Sequence, residues 1–286
     1  LAIKTVNLSI KAMGRFRYWL LALCCLLFGC KGHSTDGSDD GSLLPVAVPV
    51  INYSVGHVYP HDTTCYTEGF VFYDHHFFES SGAAPQMAQQ IRSMIGVVDL
   101  ASGKVDKKIE LDRNRYFGEG IVFFKGRLYQ LTYTNQTCFI YDAATFRRID
   151  SCRYQNAEGW ALTTDSVSLI MSDGTSNLTY LDPVTLKPVK TLAVTVNGAP
   201  LDSLNELEYI NHYIYANRYL RNYVVKIDPA SGQVVGKLDL TSLAEQEKNR
   251  NPGGNVLNGI AYDPGTDKIY VTGKLWSGIY EIVFNH

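Results

Sequence analysis

Short apolar runs closed by polar turns recur along the chain from about residue 50 to its end, and one phrase recurs with them. It reads Thr67-Glu68-Gly69-Phe70, Gly118-Glu119-Gly120-Ile121, Ala157-Glu158-Gly159-Trp160, Leu204-Asn205-Glu206-Leu207-Glu208 and Leu257-Asn258-Gly259-Ile260. With Gly69, Gly120, Gly159, Glu206 and Gly259 taken as equivalent, the steps are 51, 39, 47 and 53 residues, a spacing that marks repeat architectures. After each copy comes a second strand-like run (77–82, 128–133, 169–174, 213–217, 269–274), then a third that enters a turn (96–100, 139–142, 178–183, 225–229, 278–282). A fourth follows in the first four copies (105–111, 147–154, 188–194, 233–240). These runs are rich in Ile, Val, Tyr and Phe and broken by Gly, Asp-Pro and Ser-Gly, which predicts four strands per repeat.

Four-stranded repeats of this length read as propeller blades. The fifth copy lacks its fourth strand because the chain ends at His286, and residues 51–59 are the available substitute. Pairing the two ends closes the ring and removes its open edge. The predicted fold is all-β: a five-bladed propeller of antiparallel strands over residues 49–286, closed by an N-terminal strand.

Upstream the pattern changes. Arg15 and Arg17 precede an apolar run from Trp19 to Phe28 that ends at Gly29-Cys30, a basic start and short apolar stretch of the secretory-signal kind, too short for a comfortable span. Met13 would serve as its start. The ending Leu27-Phe28-Gly29-Cys30 resembles the bacterial lipobox, which implies lipidation of Cys30 and a place in the cell envelope as a lipid-anchored periplasmic or outer-membrane protein. Residues 33–42 hold only His, Ser, Thr, Asp and Gly, so residues 31–48 are expected to act as a tether. The division expected is therefore 1–30 signal, 31–48 tether, 49–286 propeller.

Composition narrows the function classes. The net charge of −2, with 19% charged residues, gives no basic excess of the kind nucleic-acid binding uses. Of six cysteines, Cys65, Cys138 and Cys152 fall in the exported domain, where oxidation is permitted. Cys138 and Cys152 are symmetric about Thr145 in a predicted hairpin, so they either form a cross-strand disulfide or stay as two thiols, and Cys65 is left over. No HExxH, phosphate-binding glycine loop or Gly-x-Ser-x-Gly elbow occurs.

Chemistry is then expected at the mouth of the propeller channel, where the innermost strands begin. The five phrases gather Glu68, Glu119, Glu158 with Trp160, Asn205 with Glu206, and Asn258 there, with Tyr133, Tyr219 and Lys274 contributed by second strands. That set makes a polar-floored pocket with aromatic walls. A structural alternative stands beside it: Glu68, Glu119 and Glu158 could simply bind backbone amides between blades.

Eleven stretches in order, among them Tyr59-Pro60-His61-Asp62, Tyr66-Thr67-Glu68-Gly69-Phe70, Glu79-Ser80-Ser81-Gly82, Phe117-Gly118-Glu119-Gly120, Glu158-Gly159-Trp160, Leu204-Asn205-Glu206-Leu207-Glu208 and Val271-Thr272-Gly273-Lys274-Leu275-Trp276, make the chain resemble the bacterial and plant glutaminyl cyclases, or glutamine cyclotransferases. The resemblance implies an acyltransferase that converts an N-terminal glutamine of a peptide or protein to pyroglutamate (5-oxoproline) and ammonia, as a monomer and without a metal or other cofactor. It places the acid/base glutamate at Glu119, the substrate-site asparagine and lysine at Asn205 and Lys274, and pocket aromatics at Tyr66, Phe117 and Trp160. Three positions depart from the family pattern: a glutamine is replaced by Glu68, and two tryptophans by Tyr133 and Tyr219. Glu68 would place a second negative charge near the substrate's ammonium group, or pair with Lys274. A metal-dependent propeller lactonase and a non-catalytic binding propeller are the competing readings.

Overall fold

The first three strands of each sheet are buried over most of their length, whereas the outermost strands are largely exposed in all but the fourth repeat. The computed structural model describes residues 47–286. β1 (Ser54–Pro60) precedes five sheets. Blade 1 is β2 (Thr67–Tyr73), β3 (His76–Ser81), β4 (Met94–Val98) and β5 (Val105–Glu110); blade 2 is β6 (Gly118–Phe124), β7 (Arg127–Thr132), β8 (Thr137–Asp142) and β9 (Arg148–Arg153). Blade 3 is β10 (Ala161–Thr164), β11 (Leu169–Ser172), β12 (Asn177–Leu181) and β13 (Pro188–Ala193), followed by a small hairpin, β14 (Thr195–Val196) and β15 (Ala199–Pro200). Blade 4 is β16 (Leu204–Ile210), β17 (Tyr213–Arg218), β18 (Tyr223–Ile227) and β19 (Val234–Asp239). Helix α1 (Thr241–Arg250) then leads to blade 5, formed by β20 (Leu257–Asp263), β21 (Lys268–Gly273), β22 (Gly278–Val283) and β1.

β1 runs antiparallel to β22, with Tyr59 opposite Ile279 and Ser54 opposite Val283, so the ring is closed by strands from the two ends of the described chain. Apolar faces of successive blades pack into the seams. One cluster joins blades 3 and 4 through Ile170, Leu178, Leu207, Ile214 and Val225. Another joins blades 4 and 5 and α1 through Tyr215, Leu243, Ile260, Val271 and Trp276.

The helix and the β14–β15 hairpin are absent from the four-strand pattern because each sits in a connection between blades. α1 has a polar surface but turns the buried carboxylate of Glu247 inwards. That group accepts hydrogen bonds from the Ser277 amide (2.5 Å), the Ser277 hydroxyl (2.8 Å) and the Tyr280 hydroxyl (2.5 Å), fixing the helix to β22.

Cys138 and Cys152 are direct partners across β8 and β9, as their symmetry predicts, and both are free thiols. Cys65 is free and buried. Burial pushes the Cys138 thiol far above its usual range, which keeps it protonated. Among the described residues no helix is long and apolar enough to cross a membrane. The signal segment, Cys30 and most of the expected tether lie outside the described residues.

Candidate active site

The recurring phrase owes its shape to a bulge. In blades 1, 2, 4 and 5 the register between the first two strands slips within it, between Thr67 and Gly69, Gly118 and Ile121, Leu204 and Leu207, and Leu257 and Ile260. A bulge adds a residue to one strand and re-aims its side chain. Here it aims Glu68, Glu119 and Asn205 at the axis. The glycines allow neighbouring inner strands to come close: a Cβ on Gly120 would stand 2.4 Å from the Cα of Ala161 in blade 3. Gly259 has φ +123°, open to glycine and little else.

Each phrase is also held by its neighbours, and this explains the polar residues that end the second strands. The Ser80 hydroxyl donates to the Glu119 carbonyl (2.6 Å), and Ser172 donates to the Asn205 carbonyl (2.8 Å). Asn217 accepts from the Gly259 amide (3.1 Å), while Asn258 donates to the Thr67 carbonyl (2.9 Å). The NH2 of Asn258, expected at the mouth, thus serves the seam between blades 5 and 1, while its amide oxygen is buried without a partner among the described residues. Below Thr67, Glu79 accepts from the Thr67 hydroxyl (2.7 Å) and from His61 Nε2 (3.0 Å), and His61 Nδ1 faces the Trp276 carbonyl (2.9 Å). Both ring nitrogens face oxygen atoms, an arrangement that the imidazolium satisfies. Burial opposes that charge, but Glu79 outweighs it and raises the His61 pKa.

At the mouth lies a cavity of about 410 Å³. All nine residues expected at the site line it: Tyr66, Glu68, Phe117, Glu119, Tyr133, Trp160, Asn205, Tyr219 and Lys274. Glu68, Glu119, Asn205 and Lys274 form a buried polar floor, each 2–5% exposed. Aromatic rings make the wall. Phe117 stands edge-on to both Tyr66 (6.3 Å between centroids) and Tyr133 (6.1 Å), and Trp160 stands edge-on to Tyr219 (5.4 Å). Glu158 braces that wall from outside the floor, accepting from the Trp160 indole N–H (2.8 Å).

On the floor, Lys274 Nζ donates to Glu68 Oε2 at 2.5 Å and lies 4.6 Å from the centre of the Tyr66 ring. Of the two roles open to Glu68, the structure therefore supports the ion pair. Burial opposes the ammonium, but Glu68 and Glu119 together raise the Lys274 pKa, so the charge is retained. Glu119 stands within hydrogen-bonding reach of Glu68. Burial, and then the Glu68 carboxylate beside it, push the Glu119 carboxyl well above the ordinary range. Burial also raises Glu68, but its contact with the lysine pulls it back, so the proton of the pair resides on Glu119. Asn205 presents an amide oxygen that is buried and has no partner among the described residues. A buried polar atom without a partner, on the floor of a cavity, is a place for a ligand to complete.

The backbone-amide role considered for Glu68, Glu119 and Glu158 falls instead to other members of the repeat. Glu206 accepts from the amides of Phe70 (3.1 Å) and Ile260 (2.9 Å), and Glu208 from that of Tyr262 (3.1 Å). Three further lining residues, Ala84, Gln86 and Met87, were not anticipated. They sit on the connection between β3 and β4, whose length is the one signal that could have revealed them: it spans residues 82–93, whereas each other blade uses four residues there (133–136, 173–176, 219–222, 274–277).

Known proteins resemble this chain over most of its length. A glutaminyl-peptide cyclotransferase of Arabidopsis thaliana is 35% identical over 248 residues, covering 86% of this chain and 75% of the relative. The crystal structure of Myxococcus xanthus glutaminyl cyclase superposes with a TM-score of 0.73 at 35% identity, covering 83% of this chain and 98% of that one. The sequence model of the family described as glutamine cyclotransferase matches residues 22–284, nearly the whole length, and on that extent of agreement the chain belongs to the glutamine cyclotransferase family.

Proposed function

We propose that the chain is a glutaminyl-peptide cyclotransferase acting on peptides or proteins that begin with glutamine. The α-amine attacks the side-chain amide carbon of the same residue; a C–N bond forms, the bond to the amide nitrogen breaks, and pyroglutamate and ammonia result. The observation that carries this reading is the buried Glu119 carboxyl on the cavity floor, beside Glu68, Lys274 and Asn205 and beneath a wall of aromatic rings.

Both reacting groups belong to one residue, so positioning replaces a bimolecular encounter. The rings of Phe117, Trp160, Tyr133 and Tyr219 confine the glutamine side chain in a curled form. As the amine adds, oxygen of the amide becomes negative and the attacking nitrogen positive. The Lys274 ammonium and the Asn205 side-chain NH2 are the floor donors suited to hold that oxygen, while the unpartnered Asn205 amide oxygen is suited to accept from the attacking amine. Glu119 begins as an acid, passes its proton to the departing nitrogen and takes one from the attacking nitrogen. It ends as it began. Such acid/base assistance contributes about 10²–10⁴-fold. Glu68 keeps the Lys274 ammonium in place and, through its charge, keeps the proton on Glu119.

The test is mass spectrometry of a Gln-leading peptide with the purified protein, in the presence and absence of a chelator. Loss of ammonia in both supports the reading. No product, or product only when metal is restored, overturns it in favour of a binding propeller or a metal-dependent hydrolase. We further propose that Cys30 is lipidated and that the segment after it tethers a monomeric propeller to an envelope membrane; metabolic labelling with a fatty-acid analogue, lost in Cys30→Ala, tests this.

A further inference from the structure

Among the connections between second and third strands, that of β3 to β4 is the one longer than four residues. Twelve residues (82–93) stand where the other blades use four, and they bring Ala84, Gln86 and Met87 to the cavity. The segment contains no strand or helix. It folds as two turns, with the Met87 amide bonded to the Ala84 carbonyl (3.0 Å) and the Ile91 amide to the Ala88 carbonyl (3.1 Å). It is packed at its ends through buried Ala83, Ile91 and Met94, and at Gly82, where an added Cβ would stand 2.1 Å from the Phe117 ring.

One side chain organises the rest. Arg113, from the loop between β5 and β6, donates to four carbonyls of the segment: Ala84, Met87 (2.7 Å), Ala88 (3.2 Å) and Ile91 (3.0 Å). An arginine fork satisfying four backbone acceptors fixes a loop that has no ladder of its own. The Arg113 guanidinium does not line the cavity; it sets where Gln86 and Met87 stand on the rim.

We propose that residues 84–87 form the subsite for the peptide chain that follows the N-terminal glutamine, with Arg113 as the positioning residue that holds this subsite in place. The inference rests on the cyclotransferase reading. The floor has room and chemistry for the reacting residue, and the chain beyond it must leave past the rim. On the blade 1 side that rim offers the thioether of Met87 and the methyl of Ala84 to an apolar second side chain. The Gln86 amide, a donor and an acceptor without an internal partner among the described residues, is suited to a peptide group. Met adapts its shape to varied apolar partners, which fits a site that must accept many sequences.

Steady-state kinetics on three substrates test it: glutaminamide, which has no second residue, and two pentapeptides that begin Gln-Leu and Gln-Gly. For the parent, KM is expected to fall from glutaminamide to the peptides, with Gln-Leu the lowest. Arg113→Ala is expected to raise KM for the Gln-Leu peptide about tenfold, with kcat within about twofold and the constants for glutaminamide unchanged. Arg113→Lys, which cannot reach four carbonyls, is expected to fall between. Should Arg113→Ala fail to fold, Met87→Ala leaves the clamp intact and is expected to erase the preference for Leu over Gly. Equal losses on all three substrates, or a parent indifferent to the second residue, overturn the subsite while leaving the cyclotransferase reading intact. A parent inert on all three overturns both.

Discussion

Two pairs of glutamates, three of the four fully buried and Glu208 partly so, start from the inner strands of the repeat and do opposite things. In blade 4, Glu206 and Glu208 turn their carboxylates to the amides of Phe70, Ile260 and Tyr262 and sew blades 1, 4 and 5 together. In blades 1 and 2, Glu68 and Glu119 accept no such amide; they face each other and Lys274 across the axis. Burial is nearly the same for Glu68, Glu119 and Glu206, at 2, 5 and 3% exposure. Burial thus does not separate a structural acid from a reactive one. What separates them is whether the adjoining strand offers N–H groups that use up the oxygens. Burial raises the carboxyls of Glu206 and Glu208 as it raises that of Glu119, so the axial group differs in having oxygens left open to a ligand with which it can trade a proton.

The sharpest way to break that contrast is Glu119→Gln. If the axial pair is the reactive one, turnover should fall by about 10²–10⁴-fold. The same variant should gain stability. The folded-state pKa of Glu119 is raised, so between the ordinary value of 4.5 and that raised value the folded protein binds more protons than the unfolded chain, and its stability falls as pH rises. Replacing the carboxyl should therefore raise the melting temperature at pH 7–8, with the gain fading towards pH 4–5. A loss of stability at neutral pH would move Glu119 into the structural class.

Lys274→Met comes next. It leaves Glu68 buried without its ammonium, and one-sided removal from a buried pair costs about 3–5 kcal/mol, measurable by urea unfolding. An effect near zero would mean that Glu68 takes up a proton freely and that the pair is not a fixed charge. On the opposite side of the comparison, Glu206→Gln retains one acceptor oxygen and leaves one interblade amide unpaired, at about 1–3 kcal/mol. Its kcat should match the parent's; a large fall in kcat without loss of stability would contradict the division drawn here.

The subtlest expected change is that of Glu68→Gln. Removing this charge takes away one cause of the high Glu119 pKa and frees Lys274 to stabilise the Glu119 carboxylate, so the pKa of Glu119 drops. With Glu119 acting first as an acid, the alkaline limb of the kcat/KM–pH profile should move to lower pH. A shift to higher pH, or none, would separate the two carboxyls.

The blades and the gathering of Glu68, Glu119, Asn205 and Lys274 were legible in the sequence because both follow from local pattern. Strand runs repeat, and a phrase at the start of every inner strand must arrive at the axis. The partners of each acid were not legible. The Glu206 contact with Phe70 spans 136 residues, and the Glu68 contact with Lys274 spans 206, so each depends on the ring being closed. The thiol state of Cys138 and Cys152 was open for a different reason: facing positions permit a bond but do not compel one. Arg113 escaped notice because a surface arginine in a loop looks like any other until its four acceptors come together.

The latch between β1 and β22 bears on how the molecule is made. The strand that begins the propeller has no partner until the last hairpin of the chain has been synthesised, and its hydrogen-bonding edge stays bare throughout. Blades 1 to 4 can each assemble from neighbouring segments as they emerge, while blade 5 must await both β1 and β22. Closure of the ring therefore follows synthesis of β22, and a chain cut before β22 is expected to be inactive even when four of its sheets are intact.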